Sequence, residues 1–408
     1  MNEHVAERIT AAVGPEFVRS DVSGRVLVTP PSTEALSHIL GLAYDGGWSA
    51  VVFGTGTWQS DDTPSQIAIS MRALDQIPEF NRDAPSAVVP AGVPLERLRR
   101  QALEAELWLP IDPPGRPDRT VGSLLATATA GPLRHGFGPV RDQILGLTVV
   151  TGDGRIIRSG EAASTPSVEV DPVKLHVGGF GGFGVITECR IRLQPLPGAD
   201  TTWVAIGDRD RLTRVARNLA EQAIAAAAVE LISPALASEP DWVLAVRLLG
   251  AEAAAVQAVG ATLSGAAELP GWSELPPERS GLLWNGSARA ITGAPVTLRL
   301  GVMAPGLDET LDLVIGRLGE GMLTASVLSG SLRWSGHSDI ESLRALRSLL
   351  AAREIPLTLE RAPWRIRKAV GHFGAYREGM GGLVSRLRES YDPRNVLVSA
   401  VQVPERAA

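Results

Sequence analysis

A glycine-rich stretch near the middle of the chain constrains the fold more than any other segment. Residues 178–184 read GGFGGFG, and Gly179, Gly181 and Gly184 have the spacing G-x-G-x-x-G. In dinucleotide-binding proteins this spacing is followed directly by a helix, because the helix N-terminus faces the pyrophosphate. Residues 186–193 instead alternate apolar and polar side chains, which is the period of a strand. A simple Rossmann fold is therefore inconsistent with the sequence.

Composition indicates an ordinary globular protein of two or three domains. The chain has 408 residues, of which 44% are hydrophobic and 21% charged, enough to bury a sizeable core. The net charge of -6 gives no basic surface, so nucleic acid is not an expected partner. Cys189 is the single cysteine, which excludes an internal disulfide and a cysteine-based zinc or iron-sulfur site. The six histidines are scattered without metal-ligand spacing, and no metal site is expected.

The N-terminal residues predict a cytoplasmic protein. Residues 1–8 are charged and lack the apolar core of a secretory signal. No apolar run approaches the length of a membrane span, since residues 223–229 are short and Glu230 follows them. We expect any attachment to the inner face of the membrane to be made through partners.

The first half of the chain predicts many short strands. Residues 25–28 and 50–53 flank a helical segment at 35–44, which together form a β-α-β unit. Further elements are predicted as strands at 68–71 and 87–90, a helix at 95–106, a hairpin of 145–151 with 155–158, and a strand at 186–193.

The second half predicts alternating strands and helices in an α+β sandwich with helices on one face. The predicted helices are 212–228, 252–263, 307–318, 339–352 and 382–390, and the predicted strands are 229–232, 242–248, 296–300, 324–328 and 357–359. Residues 269–287 are rich in proline, glycine and tryptophan and predict a long loop or lid. We expect domains at 1–197 and 198–375, with 376–408 packing back on the first.

Four glycine-bearing motifs follow one another in the first half. They are GTGT at 54–57, TVGSLLATATAG at 120–131, GPVRDQILG at 138–146, and DPVKLHVGGFGGFGVIT at 171–187. Glycines and hydroxyl side chains of this kind leave backbone N–H groups open to a pyrophosphate. In this order the motifs resemble the FAD-binding domain of the vanillyl-alcohol oxidase superfamily, the PCMH-type fold.

The resemblance implies an α+β fold, with a two-lobed PCMH-type FAD-binding domain followed by an α+β cap domain that has an antiparallel sheet. The cofactor it implies is FAD, held without a covalent link because Thr57 stands in the pyrophosphate turn and Cys189 lies in a strand. The same resemblance assigns the cofactor contacts to Gly54, Thr55, Gly56, Thr57, Thr120, Val121, Gly122, Ser123, Ala126, Gly131, Gly138, Arg141, Asp142, Gly181, Gly184 and Ile186. Bulky replacements at Gly181 or Gly184 are expected to impair FAD retention.

Within the superfamily the chain is most similar to the FAD-binding subunit of glycolate oxidase. Three segments resemble that subunit, namely residues 130–134, residues 359–364 and the Tyr-Asp-Pro motif at 391–393. It implies oxidation of a small 2-hydroxy acid, with electrons passed on within a hetero-oligomer that contains a second flavin subunit and an iron-sulfur subunit. Two alternatives stay open: a stand-alone flavin oxidase or dehydrogenase on another alcohol or hydroxy acid, and a non-catalytic scaffolding subunit.

Departures from the family pattern motivate the alternatives. Thr55 interrupts the glycines of the pyrophosphate turn, residues 165–170 keep little of the family motif before Asp171, and residues 398–401 lack the family's arginine. Arg141 and Asp142 fit a structural ion pair as well as a flavin contact. His135 lies within the flavin motifs and fits a loop position equally well.

The sequence does not identify the catalytic residues. Five residues in the second half of the chain, which the resemblance places over the flavin, have side chains that could bind a carboxylate substrate or act as a base. They are Arg333, His337, Arg361, His372 and Tyr376.

Overall fold

The computed structural model describes residues 2–21, 24–56, 58, 63–160, 172–221, 224–265, 271–374 and 380–399. Several residues singled out from the sequence lie outside these ranges, namely Thr57, residues 165–171, Tyr376 and residues 400–401.

The first lobe is a four-stranded sheet covered by two helices. Its elements are α1 (Asn2–Val13), β1 (Val18–Ser20), β2 (Val26–Val28), α2 (Thr33–Gly46), β3 (Ala50–Phe53) and β4 (Ile67–Ser70). The strand order is β1-β2-β4-β3, with β2 and β3 both parallel to β4. Helix α2 begins where the Ser32 hydroxyl accepts a hydrogen bond from the Ala35 N–H, and it ends at Gly47 with φ 65°. The predicted β-α-β unit is confirmed.

The second lobe is a five-stranded antiparallel sheet in the order β5-β6-β10-β8-β9. Its elements are β5 (Glu79–Asn81), β6 (Ser86–Pro90), α3 (Leu95–Glu104), β7 (Leu107–Trp108), α4 (Val121–Thr127), α5 (Arg134–Phe137), β8 (Ile144–Val150), β9 (Ile156–Gly160), α6 (Pro172–His176), β10 (Val185–Arg192) and β11 (Gln194–Pro195). The predicted hairpin is present as β8 and β9. A strand, β10, follows the glycine stretch directly, as the alternation predicts.

The cap is an eight-stranded antiparallel sheet in the order β15-β12-β14-β13-β17-β18-β16-β19. Its elements are β12 (Ala199–Gly207), α7 (Arg209–Glu221), β13 (Ala228–Ile232), α8 (Pro234–Ala237), β14 (Trp242–Gly250), α9 (Ala253–Gly265), β15 (Ser273–Leu275), α10 (Pro277–Ala290), β16 (Val296–Gly301), α11 (Leu307–Leu318), β17 (Met322–Ser326), β18 (Ser331–Gly336), α12 (Ile340–Ala351), β19 (Leu357–Arg361) and α13 (Trp364–Val370). One face of this sheet packs its apolar side chains against α7, α9, α11 and α12.

Three predictions for the cap are wrong. Helix α7 ends at Glu221, and Ala228 begins a strand because the chain there pairs with β14. The segment predicted as a loop or lid contains β15 and α10, and Pro277 stands in the first turn of α10, where proline is favoured. Helices cover both faces of the sheet rather than one, because α8 and α10 pack on the face opposite the large core.

The C-terminal segment joins the first lobe after α14 (Met380–Tyr391). Val396 and Leu397 are buried in the core of that lobe, and the Ala50 N–H donates to the Val396 carbonyl at 2.7 Å. The Asp392 carboxylate accepts hydrogen bonds from the Val396 and Leu397 N–H groups at 2.8 and 3.0 Å. This turn places residues 397–399 beside β3. The domain boundaries at 197 and 375 stay a prediction.

Among the described helices, none combines the length and the apolar character that crossing a bilayer requires.

Candidate functional site

A cleft of about 1250 Å³, including its open mouth, lies between the two lobes and is closed on one side by the cap. The first lobe contributes the end of β3 and the loop after it, and the second lobe contributes α4 and the glycine stretch before β10. The cap and the C-terminal segment supply the remaining wall. The predicted site residues that line this cleft are Gly54, Gly56, Thr120, Gly122, Ser123, Ala126, Gly181, Gly184 and Ile186.

The glycines of the cleft have two different roles. A Cβ atom at Gly56 or Gly181 would meet no atom within 4 Å, and both residues have φ above +70°. Gly122 and Gly184 are packed instead, since a Cβ would approach the Ala91 Cβ to 2.8 Å and the Val150 carbonyl oxygen to 2.9 Å. Replacing Gly184 therefore disturbs the packing of β8, and the expectation about FAD retention is better tested at positions that face open space.

Several buried polar atoms around the cleft have no hydrogen-bond partner within the described ranges. They are Thr55 Oγ1, Trp58 Nε1, Thr63 Oγ1 and both ring nitrogens of His372. Buried polar groups are normally hydrogen-bonded, and leaving one unpaired costs about 1–3 kcal/mol. A polar ligand in the cleft would satisfy them.

Arg119 links the cleft to the interior of the second lobe. Its guanidinium is fully buried and donates to the Pro114 carbonyl and the Thr127 hydroxyl, both at 3.1 Å. It also lies 5.1 Å from the ring centre of Trp58. Burial lowers its pKa to about 9, with the Glu360 carboxylate opposing that shift, so it remains a cation at neutral pH.

Among the described residues, arginines outnumber carboxylates around Glu360, a cap residue that lines the cleft. Glu360 on β19 is buried and accepts hydrogen bonds from Arg299 at 2.8 Å and from Arg333 at 3.0 Å. Arg134, at the start of α5, makes no side-chain hydrogen bond or ion pair in the part of the chain that the structure describes. Burial lowers the Arg134 pKa, and the neighbouring charges of Arg299 and Arg333 lower it further. The excess of positive charge suits an anionic ligand.

His372 is a neutral side chain in the wall of the cleft. Its ring packs edge-on against Phe180 at 4.8 Å between centroids. Burial lowers its pKa to about 3, and the charges of Arg367, Arg347 and Arg299 act in the same direction. Both nitrogens are therefore available as hydrogen-bonding groups without a net charge.

Other predicted residues lie away from the cleft. Val121 is fully buried in the core of the second lobe, and its N–H donates to the Val93 carbonyl rather than facing a ligand. Gly138 ends α5 with φ 81°. Arg141 and Asp142 form an ion pair of 3.7 Å with about 60% of each side chain exposed. This arrangement agrees with a structural ion pair rather than with a flavin contact. Cys189 is buried in β10.

Some residues of the cleft were not found from the sequence. Thr63, Glu360, Trp364, Arg367 and Ser399 line the cleft but belong to no glycine motif. Glu360 and Trp364 fall within the segment at 359–364 that carried a family likeness. No local signal indicated that they approach the cleft. Of the five residues with suitable side chains, His372 lines this cleft, whereas His337 and Arg361 are exposed elsewhere.

A second cavity, of about 1090 Å³ including its open mouth, lies between the second lobe and the inner face of the cap sheet, which is the face that packs against α8 and α10. Gly131 and Arg333 line it, together with the carboxylates Asp112 and Glu230. Both Asp112 oxygens accept from the Leu133 N–H, at 3.1 and 3.2 Å. Burial raises the pKa of Asp112 to about 6, whereas hydrogen bonding to Leu133 opposes the shift. Burial also raises the pKa of Glu230 to about 8, against the hydrogen bond from Ser326.

The raised pKa of Glu230 predicts a loss of stability as pH rises. Between the ordinary pKa of 4.5 and about 8, the folded chain binds more protons at Glu230 than the unfolded chain, so the free energy of unfolding falls. Glu230→Gln removes this titration and is expected to gain about 3 kcal/mol relative to the native chain between pH 5 and pH 8. Urea unfolding at both pH values measures the difference. Parallel pH dependence of the two proteins would show that Glu230 ionises normally.

The chain is thus a two-lobed α+β protein with a cleft between its lobes and a separate antiparallel sheet that closes one side of the cleft. Residues 24–160 match the family described as FAD binding domain, and this segment belongs to that family. Residues 24–160 are therefore an FAD-binding domain of the PCMH type.

Curated relatives match about half of the chain. Over 215 residues it is 26% identical to D-lactate dehydrogenase (cytochrome) 1, mitochondrial, of Saccharomyces cerevisiae, which covers 51% of the chain and 36% of that protein. Over 225 residues it is 26% identical to glycolate oxidase subunit GlcD of Bacillus subtilis, covering 50% of the chain and 48% of that protein. The matched segments thus span less than half of either relative.

A solved structure matches over the whole chain. The isoeugenol complex of 4-ethylphenol oxidase from Gulosibacter chungangensis superposes with a TM-score of 0.78 at 14% identity, covering 100% of this chain and 98% of that one. The likeness confirms the predicted α+β fold with an antiparallel cap sheet.

The cleft fits FAD. Gly56 and Gly181 leave space open along the cleft, and buried polar atoms around it have no hydrogen-bond partner among the described residues.

Proposed function

We propose that the chain is an FAD-dependent oxidoreductase subunit that oxidises a small 2-hydroxy acid and passes the electrons to a partner subunit. The observation that carries this proposal is the excess of arginine around Glu360 where the cap meets the cleft. A carboxylate substrate supplies the missing negative charge. Glycolate and D-lactate, for which the two relatives are named, are both 2-hydroxy acids.

The residues that would hold FAD belong to both lobes. We assign the contacts to the cleft-lining members of the predicted set, and we add Trp58, Thr63 and His372 because their polar atoms need partners. When bound, FAD supplies the acceptor for the two electrons released as the hydroxyl becomes a carbonyl. Gly131, Gly138, Arg141 and Asp142 do not line the cleft, and we leave them out of this assignment.

The arginines bind and orient the carboxylate of the substrate. Glu360 fixes Arg299 and Arg333 in place through two hydrogen bonds, which limits the freedom they lose when a ligand binds. Arg134 gives up no hydrogen bond to any residue that the structure describes. We propose that these three guanidinium groups donate to an incoming carboxylate while Arg299 and Arg333 keep their hydrogen bonds to Glu360.

A partner accounts for the onward transfer of electrons. One relative is named as a subunit of glycolate oxidase, and we propose a hetero-oligomer with a second flavin subunit and an iron-sulfur subunit. A stand-alone oxidase and a non-catalytic scaffold are the competing functions.

Anaerobic mixing of the FAD-loaded protein with glycolate or D-lactate separates these functions. The proposal predicts that the oxidised flavin absorbance bleaches within one turnover and that sustained turnover requires the neighbouring gene products. Rapid reoxidation by oxygen without any partner would indicate a stand-alone oxidase. A protein that retains FAD but is bleached only by dithionite would contradict hydroxy-acid oxidation.

A further inference from the structure

The second cavity is much larger than a two-carbon hydroxy acid requires. Its walls include the apolar side chains of Leu109, Ile111, Leu133, Ile232 and Ile291, and all five are at most 4% exposed. Trp108 and Trp284 form further wall on opposite sides, one from the second lobe and one from the cap. This apolar part of the second cavity, which we call the chamber, favours an apolar group of an occupant.

Helix α10 lines this chamber and is hydrogen-bonded both to the cap sheet and to the second lobe. The Trp284 indole N–H donates to the Thr202 hydroxyl of the cap sheet at 2.9 Å. The Ala288 carbonyl accepts from the Gly115 N–H of the second lobe at 2.7 Å. The helix therefore spans the junction between cap and second lobe as a fixed wall.

The chamber shares a wall with the FAD cleft. Arg333 lines the chamber and donates to Glu360, which lines the cleft. Arg119 donates to Pro114 on the chamber side and to Thr127 on the cleft side. A molecule held by Arg333 thus lies at the boundary between the two spaces.

Polar side chains line several walls of the chamber, and one set of them lies on the cap sheet. The others are Arg99 and Asp112 of the second lobe, Arg247 on β14, and Asn285 and Ser287 on α10. Thr324 on β17 pairs directly with Ile232 on β13 and with Arg333 on β18, so the three side chains form a row across the inner face of the cap sheet. Glu230 lies two residues before Ile232, on the same face of its strand. One end of an occupant meets these polar groups, and the remainder meets the apolar walls.

We propose that this chamber selects 2-hydroxy acids with an apolar side chain of four or more carbons, or an aromatic ring, over glycolate. The carboxylate end lies at Arg333, and the apolar side chain lies against α10 and the second lobe. This inference rests on the proposed function for the reaction, but the chamber's preference for apolar groups can be measured without turnover.

The test compares two series of ligands on the FAD-loaded protein. Binding of saturated carboxylates from acetate to octanoate is measured by the fluorescence of Trp108 and Trp284. Oxidation of the matching 2-hydroxy acids, from glycolate to 2-hydroxyoctanoate and including mandelate, is measured by anaerobic bleaching of the flavin. We expect affinity and kcat/KM to rise about fourfold per methylene until the chamber is filled. Ala288→Phe, which narrows the chamber, is expected to abolish the gain, whereas Leu282→Phe on the exposed side of the same helix is expected to keep it.

The outcomes separate the inference from the proposed function. If glycolate bleaches the flavin and chain length has no effect on binding or rate, the inference is wrong and the oxidation stands. If carboxylates bind more tightly with length but no hydroxy acid bleaches the flavin, the chamber's preference stands and the oxidation is wrong. If affinity and kcat/KM rise with chain length equally in Ala288→Phe and in the native chain, the apolar side chain of the substrate lies elsewhere and the inference is wrong.

Discussion

Ala126→Trp is expected to weaken FAD binding by about 100-fold or more while leaving the chain folded. Ala126 lies on α4 and lines the cleft, and its position on a helix gives a larger side chain no backbone strain. An indole there occupies space that the cofactor needs, and forcing both into the cleft carries an overpacking penalty of about 1–3 kcal/mol on top of lost contacts. Fluorescence titration with FAD measures the change.

Ala126→Ser is the matched control, because it adds a single oxygen at the same site and is expected to bind FAD within a few-fold of the native chain. Circular dichroism and thermal melting establish that both variants are folded. A folded Ala126→Trp protein that binds FAD as tightly as the native chain would show that the cofactor does not occupy this cleft.

Arg134→Met is expected to raise KM for the hydroxy acid by about 10- to 100-fold, because a charge-assisted hydrogen bond to a carboxylate contributes about 1.5–3 kcal/mol. Its effect on stability is expected to be zero or slightly favourable. The guanidinium is half-buried beside Arg299 and Arg333, and the Asp142 carboxylate offsets only part of their repulsion, so removing the charge relieves repulsion. Steady-state kinetics and thermal melting of the same preparation test both expectations.

Arg141→Met is the matched control for Arg134→Met. Arg141 lies seven residues further along the chain and forms, among the described residues, one exposed ion pair with Asp142, which contributes little to stability. We expect normal kinetics and normal FAD content. If Arg141→Met lost FAD instead, the sequence-based assignment of that residue would be right and the assignment from the cleft geometry wrong. If Arg134→Met destabilised the chain without changing KM, Arg134 would be a structural residue.

The cleft residues that could be predicted from the sequence lie in short continuous segments of the chain. The loop at 54–56, the segment from Thr120 to Ala126 and the glycine stretch each bring several residues to the cleft together, because tight turns need glycine and leave a local signature. The strand after Gly184 was equally predictable, since its alternation matches burial on one face of the second-lobe sheet.

The charged group on the cap had no such signature. Arg299, Arg333 and Glu360 come from three neighbouring strands that are far apart in sequence, and only the sheet register brings them together. Helix α10 was missed for a different reason. Its proline and glycines indicate a loop by composition, yet proline in the first turn is compatible with a helix, and Trp284 anchors it to the cap sheet.

Titration of the FAD-free chain with FAD tests the central claim most directly. The account predicts one FAD per chain, a dissociation constant in the micromolar range or below, and reduced binding in Ala126→Trp but not in Ala126→Ser. If the folded chain binds no FAD, or if Ala126→Trp leaves the dissociation constant for FAD unchanged, the cleft is not the flavin site.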